Sequence, residues 1–162
     1  MTEAALVVVT PAWQLAARDK ISALEHALRE SIAIGEIELT IHDGTSEEGD
    51  DQAEHFFAEG VYGRGLWIPA GSLVIGRTHV QSRICVVAAG RCRWFDEYNP
   101  EPREVLAPWV GEFNPGSKTA VLALEPTYWL AFVGTQLTDP FEVLDTLSDP
   151  DYESYAKRLR GE

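Results

Sequence analysis

The sequence lacks the features of several specialised classes of protein. Its two cysteines, Cys85 and Cys92, do not form a disulfide framework, and reduced thiols in a cytoplasmic protein are expected. No run approaches the roughly 20 apolar residues that a membrane-spanning helix needs. The first nine residues have no basic residue before their short apolar run, so they do not resemble a secretion signal. We therefore predict a cytoplasmic location and no membrane partner.

Basic side chains are scarce, since 13 lysines and arginines stand against 26 acidic residues and give a net charge of −13. The acidity lies in the flanks: residues 1–60 carry a net charge of −10, residues 61–135 carry +1, and residues 136–162 carry −4. A protein that binds a nucleic-acid backbone needs clustered Lys and Arg. We therefore predict no nucleic-acid partner, although a local basic pocket for a small anion is compatible with this composition.

The chain has 162 residues, which is enough for a single domain with a real hydrophobic core. Its patterns change twice along the sequence. We predict an N-terminal helix, strand and acidic loop over 1–60, a β-barrel core over 61–135 and a C-terminal helical tail over 136–162.

The N-terminal segment opens with a helix signal. Thr10 can cap a helix, Pro11 suits its first position, and Gly35 is its predicted end. Residues 37–41 then alternate as a half-buried strand does, and residues 45–54 form an acidic loop whose oxygen ligands are not spaced as in a calcium loop. The predicted apolar stripe of the helix consists of Trp13, Ala17, Ile21, Leu24, Leu28 and Ile32.

The middle segment is predicted to be a run of short strands. Gly and Pro turns separate them, and no helical pattern lies between them, which favours an antiparallel sandwich or barrel over a parallel sheet. The predicted strands span residues 61–68, 73–79, 83–88, 91–96, 105–106, 109–113, 119–124 and 128–133.

The C-terminal segment is predicted to be helical. Asp139 with Pro140, and Asp149 with Pro150, each offer a cap followed by a proline in the first turn. The cations of residues 157–160 suit the end of a helix, where the helix dipole favours positive charge.

The spacing of residues in the middle segment resembles a known motif. Gly71 is followed by five residues and Arg77, then by His79, Arg83 and Gly90 at intervals of two, four and seven. This is similar to the first motif of the cupin superfamily, G-x5-H-x-H-x3-E-x6-G. Both glycines and the second histidine are in register, whereas arginines occupy the positions of the first histidine and the glutamate.

The second cupin motif, G-x5-P-x-G-x2-H-x3-N, is matched by Gly116, while Thr119 occupies its histidine position and Ala123 its asparagine position. The stretches 56–62 and 115–118 also resemble cupin-like proteins of tailed bacteriophages. The resemblance covers about half the chain. It implies a mainly β protein, a cupin-like jelly-roll β-barrel with an N-terminal helix and a C-terminal helical segment, which forms a homodimer, in the host cytoplasm if the protein is phage-encoded.

The substitutions at the motif positions change the expected chemistry. Arginine stays protonated and has no lone pair for a metal, and two arginines repel a cation, so we predict no metal and no cofactor. Guanidinium groups match carboxylate and phosphate instead. If the register holds, an anion pocket at the barrel mouth has these predicted ligand-binding residues: Arg77, His79, Arg83, Lys118, Thr119, Trp67 and Trp129.

Two alternatives remain open for these arginines. They can pair with Glu112 or with acidic residues of the flanks in a structural ion network, or they can face solvent if the register shifts by one residue. Cys85, on the same strand face as Arg83, is either a thiol with a lowered pKa or a buried, inert one.

Three hypotheses for function follow. The first, which we favour, is a non-catalytic binding protein that captures a small anionic metabolite or nucleotide in the barrel. The second is a structural or interaction protein that uses the barrel as a scaffold. The third is an enzyme, either metal-assisted or a metal-free lyase or isomerase in which His79 works with Cys85 or Glu112; the sequence identifies no catalytic residue beyond this.

Overall fold

The computed structural model describes residues 10–33 and 53–162. The helices of these ranges are α1 (Ala12–Ala33), α2 (Pro140–Leu147) and α3 (Tyr152–Arg160). Their strands are β1 (Ala53–Ala58), β2 (Val61–Ile68), β3 (Leu73–Ile75), β4 (Thr78–His79), β5 (Arg83–Ala89), β6 (Arg91–Phe95), β7 (Arg103–Leu106), β8 (Trp109–Phe113), β9 (Ala120–Ala123), β10 (Thr127–Gly134) and β11 (Ser148–Asp149). None of these helices is long and apolar enough to cross a membrane.

The strands form two antiparallel sheets and one small ribbon. The larger sheet has the order β1-β2-β10-β5-β8, the smaller has the order β3-β9-β6-β7, and β4 pairs with β11. Four antiparallel pairs are nested in the sequence, each lying between the two strands of the pair before it: β2–β10, β3–β9, β5–β8 and β6–β7. This is the jelly-roll arrangement that cupins share with capsid and lectin domains. The predicted fold class is confirmed.

The main core lies between the two sheets. Because successive side chains of a strand point to opposite faces, each sheet contributes every second residue to this layer. Leu66 and Val87 come from the larger sheet and Trp94 and Val121 from the smaller one. The ring of Trp94 lies 4.8 Å from that of Phe113, so aromatic packing joins the two layers.

Helix α1 covers the outer face of the smaller sheet. Ile21 is fully buried there against Ile75 and Ala120. The predicted stripe is correct for its middle part, but Trp13 is 52% exposed whereas Gln14 is buried. The buried face of the helix therefore begins at Gln14, one turn before Ala17. Trp13, one residue earlier, points away from the barrel. The side chain of Ile32 lies outside the described residues.

The structure corrects several strand predictions. The strand predicted over residues 73–79 is divided, because Gly76 bonds to the Thr119 carbonyl (3.0 Å) while β4 pairs with β11 in the separate ribbon. Strand β1 was not predicted, and it includes Ala53 and Glu54, which we expected in the acidic loop. The predicted strand over 37–41 and the rest of the loop, residues 45–52, lie outside the described residues.

The C-terminal segment is helical, as predicted, with one change at its second cap. Asp139 caps α2 by accepting from the amides of Phe141 (2.9 Å) and Glu142 (3.0 Å). The cap of α3 is Asp151, and Asp149 instead belongs to β11 and forms an ion pair with Arg158 at 2.8 Å. The short ribbon strand thus separates the two helices.

Candidate functional site

A cavity of about 140 Å³ lies inside the barrel. Strands β2 and β10 of the larger sheet, β3 and β9 of the smaller sheet and helix α2 contribute residues to its wall. Val143 and Leu147 of α2 are buried and contribute apolar surface. The C-terminal segment is therefore part of the site.

The structure brings together five of the seven residues that the sequence predicts for ligand binding. Arg77, His79, Arg83, Thr119 and Trp129 all line this cavity. Arg83 is the first inward residue of β5, where it begins an alternation of buried and exposed side chains. The register on which the prediction depended is therefore correct for β5.

Arg83 is the most deeply buried cation of the cavity, with 5% of its surface exposed. Its two terminal nitrogens donate to the hydroxyls of Ser117 and Thr119, both at 2.7 Å, and its guanidinium lies 4.9 Å from the Phe113 ring centroid. No carboxylate of the described residues forms an ion pair with it. Burial lowers the pKa of Arg83, but an arginine remains protonated at neutral pH.

Arg77 connects the cavity to the C-terminal segment. Its Nε donates to the Ser148 hydroxyl at 2.9 Å, and that hydroxyl donates in turn to the Leu144 carbonyl at 2.7 Å. Arg77 therefore holds the end of α2 against the barrel.

His79 is partly buried among positive charges. Burial is the largest cause that lowers its pKa well below the ordinary value, and repulsion from Arg83, Arg64 and Arg77 lowers it further. The imidazole is therefore neutral at neutral pH.

Two predicted ligand-binding residues lie elsewhere, which corrects the sequence analysis. Lys118 is 1% exposed but does not line the cavity, because its Nζ contacts Glu25 of α1 and the Pro150 carbonyl. Trp67 is 53% exposed on the outer face of the larger sheet, where it stacks on Tyr128 at 4.8 Å. Neither side chain is directed into the barrel.

The sequence analysis missed three polar residues of the cavity wall: Arg64, His55 and Tyr62. His55 Nδ1 lies 2.7 Å from the Tyr62 hydroxyl. The sequence of β2 could have identified Arg64. Residues two apart lie on the same face of a strand, so Arg64 shares the inward face with Leu66 and Ile68.

The acidic residue Glu112 and the thiol of Cys85, which the sequence suggested as partners of the site, do not line the cavity. None of its described lining residues is an aspartate or glutamate. Glu112 is exposed on β8 opposite Ile84 and forms no ion pair with Arg83, so that predicted alternative is wrong for these two residues. Burial raises the pKa of Cys85 despite the opposing effect of Arg83, so this thiol is of the buried, inert kind.

The donor set does not fit a cupin-type metal. Among the described residues, no three His, Cys, Asp or Glu side chains are close enough together to hold a metal ion. At the motif positions, Arg77, Arg83 and Thr119 surround the single imidazole of His79, and guanidinium groups offer no lone pair.

Comparisons with known proteins give similarity in structure only. No protein-family model matches the chain, and no curated protein matches it. Similar solved structures include KdgF from Halomonas sp. (13% identity, 55% of this chain and 81% of that chain, TM-score 0.46). An RmlC-like cupin family protein from Methanocaldococcus jannaschii has 11% identity, 52% and 79% coverage and a TM-score of 0.45. A Cupin 2 conserved barrel domain protein from Salinispora arenicola CNS-205 has 17% identity, 49% and 72% coverage and a TM-score of 0.42.

Proposed function

We propose that this protein is a non-catalytic binding protein that captures a small anionic molecule in its barrel cavity. One observation carries the proposal: the guanidinium of Arg83 is buried in the cavity wall and contacts two hydroxyls and an aromatic ring, without an ion pair to any described carboxylate. A bound anion is the partner that this charge lacks.

The energetics favour a functional role for this arrangement. A buried charge without a counter-charge is costly, and hydroxyl dipoles compensate it only in part. Ser117 and Thr119 orient the guanidinium, as supporting residues of a binding site do. Positions that reduce stability in this way are expected where function requires them.

The two alternative functions have less support. A scaffold does not need a cavity of about 140 Å³ or a buried cation facing it. The acid–base pair that the sequence suggested for a metal-free lyase or isomerase, His79 with Cys85 or Glu112, is not present in the cavity, because neither Cys85 nor Glu112 lines it. Origin in a bacteriophage and a cytoplasmic location remain predictions from the sequence.

The test compares thermal unfolding of the wild type with Arg83→Met, in the presence and absence of small carboxylates and phosphates. A probe at about 100 times its dissociation constant stabilises the wild type by nearly 3 kcal/mol, which is a shift of roughly several degrees. We expect no such shift in Arg83→Met, which without any probe unfolds at the same temperature as the wild type or higher. The methionine retains the bulk of the side chain and removes the uncompensated charge.

The matched control is Arg93→Met. Arg93 is exposed on the smaller sheet and bonded to Glu104 at 3.0 Å, so its replacement should leave every probe-induced shift unchanged. A marked loss of stability in Arg83→Met, together with no probe-induced shift in the wild type, would instead assign Arg83 to a structural network and reject the binding function.

A further inference from the structure

We infer that the ligand is a small organic monocarboxylate with a compact apolar body, and that nucleotides and inorganic phosphate are poor ligands. This inference rests on the proposed function, because it names the chemical class of the molecule that the same cavity binds. It follows from the volume of the cavity, the chemistry of its walls and the charge at Arg83.

The volume limits the size of the ligand. At about 140 Å³, the cavity is similar to apolar cavities of about 150 Å³ that hold a benzene molecule. Pockets for drug-sized ligands are larger, at roughly 300–1,000 Å³. A nucleotide has a base, a sugar and a phosphate, and therefore exceeds the space inside this barrel. Of the two ligand classes that the sequence suggests, the volume favours the small metabolite.

The walls require an apolar body. Leu66 and Val133 come from the larger sheet, Val74 and Val121 from the smaller sheet, and Leu147 from α2, so apolar side chains from three sides form a large part of the wall beside its polar residues. Each methylene group that such walls remove from water contributes about 0.8 kcal/mol of binding free energy. Inorganic phosphate has no atoms to gain from this surface, and it loses its strong hydration on entry.

The charge at the buried end of the site matches a single carboxylate. Among the described residues, the direct contacts of Arg83 are with neutral groups, and the carboxylates of Asp96 and Glu97 act on it only from beyond ion-pair distance, so its guanidinium has no direct ionic partner there. A carboxylate is planar, carries one negative charge and accepts two parallel hydrogen bonds from a guanidinium group. His79 adds a neutral imidazole to the same cavity, and Arg77, which also lines it, already donates to Ser148.

The test is calorimetric titration of the full chain with acetate, isovalerate, benzoate, benzamide, inorganic phosphate and adenosine monophosphate. We expect affinity to increase from acetate to isovalerate and benzoate as apolar atoms are added. Benzamide has the shape of benzoate without its charge, and it should bind at least about thirtyfold more weakly, because it leaves Arg83 unpaired. Arg83→Met should remove binding of the whole carboxylate series.

A variant that fills the cavity tests the apolar contacts separately from the charge. Ala131 of β10 lines the cavity, so Ala131→Leu should weaken benzoate about tenfold or more relative to acetate. Val133→Leu, in the same wall, is a second variant in case the first impairs folding, which its thermal transition will show. Ala88→Leu is the matched control, because Ala88 is exposed on β5 and its replacement should change nothing.

The outcomes separate the ligand class from the binding function. Carboxylate binding that depends on Arg83 and on the volume at Ala131 supports both. Binding of phosphate or adenosine monophosphate that requires Arg83, without binding of any carboxylate, overturns the ligand class and leaves the proposed function intact. Carboxylate binding that persists in Arg83→Met overturns the proposal that the ligand carboxylate binds to Arg83. An absence of binding by every anion in the panel overturns both.

Discussion

The Nζ atom of Lys118 lies 2.5 Å from Oε2 of Glu25, a residue 93 positions earlier in the sequence. Lys118 also donates to the Pro150 carbonyl at 2.9 Å, and its backbone amide donates to Glu97 at 3.0 Å. This buried ammonium therefore joins the barrel to α1 and to the segment that precedes α3. The same contacts explain why Lys118 is not available to the cavity.

The first prediction concerns this ion pair. Glu25→Ala leaves the Lys118 charge buried without a carboxylate partner, so we expect a loss of about 3 kcal/mol in the free energy of unfolding, measured by urea denaturation. Lys118→Met should cost less, because Glu25 is more exposed and retains its ion pair with Arg29 at 3.2 Å. Lys157→Met is the control, because it breaks an exposed pair with Glu153 and should change stability by less than about 0.5 kcal/mol.

The second prediction is a pH dependence caused by His79. Its folded-state pKa lies well below the ordinary value of 6.5, so the unfolded chain takes up a proton that the folded chain does not. The free energy of unfolding should therefore fall as the pH is lowered from about 7 through 6.5 towards the folded-state pKa, by at most about 1.4 kcal/mol per pH unit. Denaturation curves at several pH values measure this slope.

The His79→Gln variant isolates this contribution from that of the carboxyl groups. At each pH, the free energy of unfolding of the variant is subtracted from that of the wild type. The difference should increase with pH between the folded-state and the unfolded-state pKa of His79. His26→Gln replaces an exposed histidine of α1 and should retain the wild-type slope. Parallel profiles for the wild type and His79→Gln would show that this imidazole titrates alike in the folded and unfolded chains.

The third prediction concerns the attachment of α2 to the cavity. Ser148→Ala removes the hydroxyl that accepts from Arg77 and donates to Leu144, so we expect a loss of about 1–2 kcal/mol in stability. Amide hydrogens of residues 143–147 should also exchange faster, because the end of α2 opens more often. Thr146→Ala, on the exposed side of the same helix, should not change these exchange rates.

The fourth prediction is the homodimer. Helix α1 covers the outer face of the smaller sheet, whereas the larger sheet exposes Trp67, Ile84 and Val110, each by about half or more of its surface. A second copy of the chain that covers this face should give a molar mass of about twice 17.9 kDa in light scattering. Trp67→Ser combined with Ile84→Ser should reduce the mass to that of one chain.

A control on another surface tests the position of this interface. Leu159 is 69% exposed on α3, and Leu159→Ser should leave the molar mass unchanged. A wild-type mass of about 17.9 kDa at all protein concentrations would contradict the dimer prediction.

Strand alternation accounts for one of the site residues that the sequence predicted correctly. Side chains two residues apart lie on the same face of a strand, so the inward position of Arg83 follows from the pattern of β5 alone. The same rule, applied to β2, would have identified Arg64. It does not apply to Lys118, which precedes β9 and belongs to no strand. Trp67 follows the same rule, which places it on the outer face of β2.

The sequence by itself determined an antiparallel sandwich or barrel of short strands, the helical segments at both ends and the inward face of the strand that carries Arg83, because these depend on periodicities and turn signals within short stretches. The jelly-roll class was implied by the resemblance to the cupin motifs. Only the tertiary structure decided that α2 lines the cavity, that Ser117 and Thr119 accept hydrogen bonds from Arg83, and that Lys118 pairs with Glu25 instead of facing the cavity. These relationships join residues that are far apart in the chain. Their side chains are oriented by contacts and charges that exist only after the two sheets and the helices have packed together.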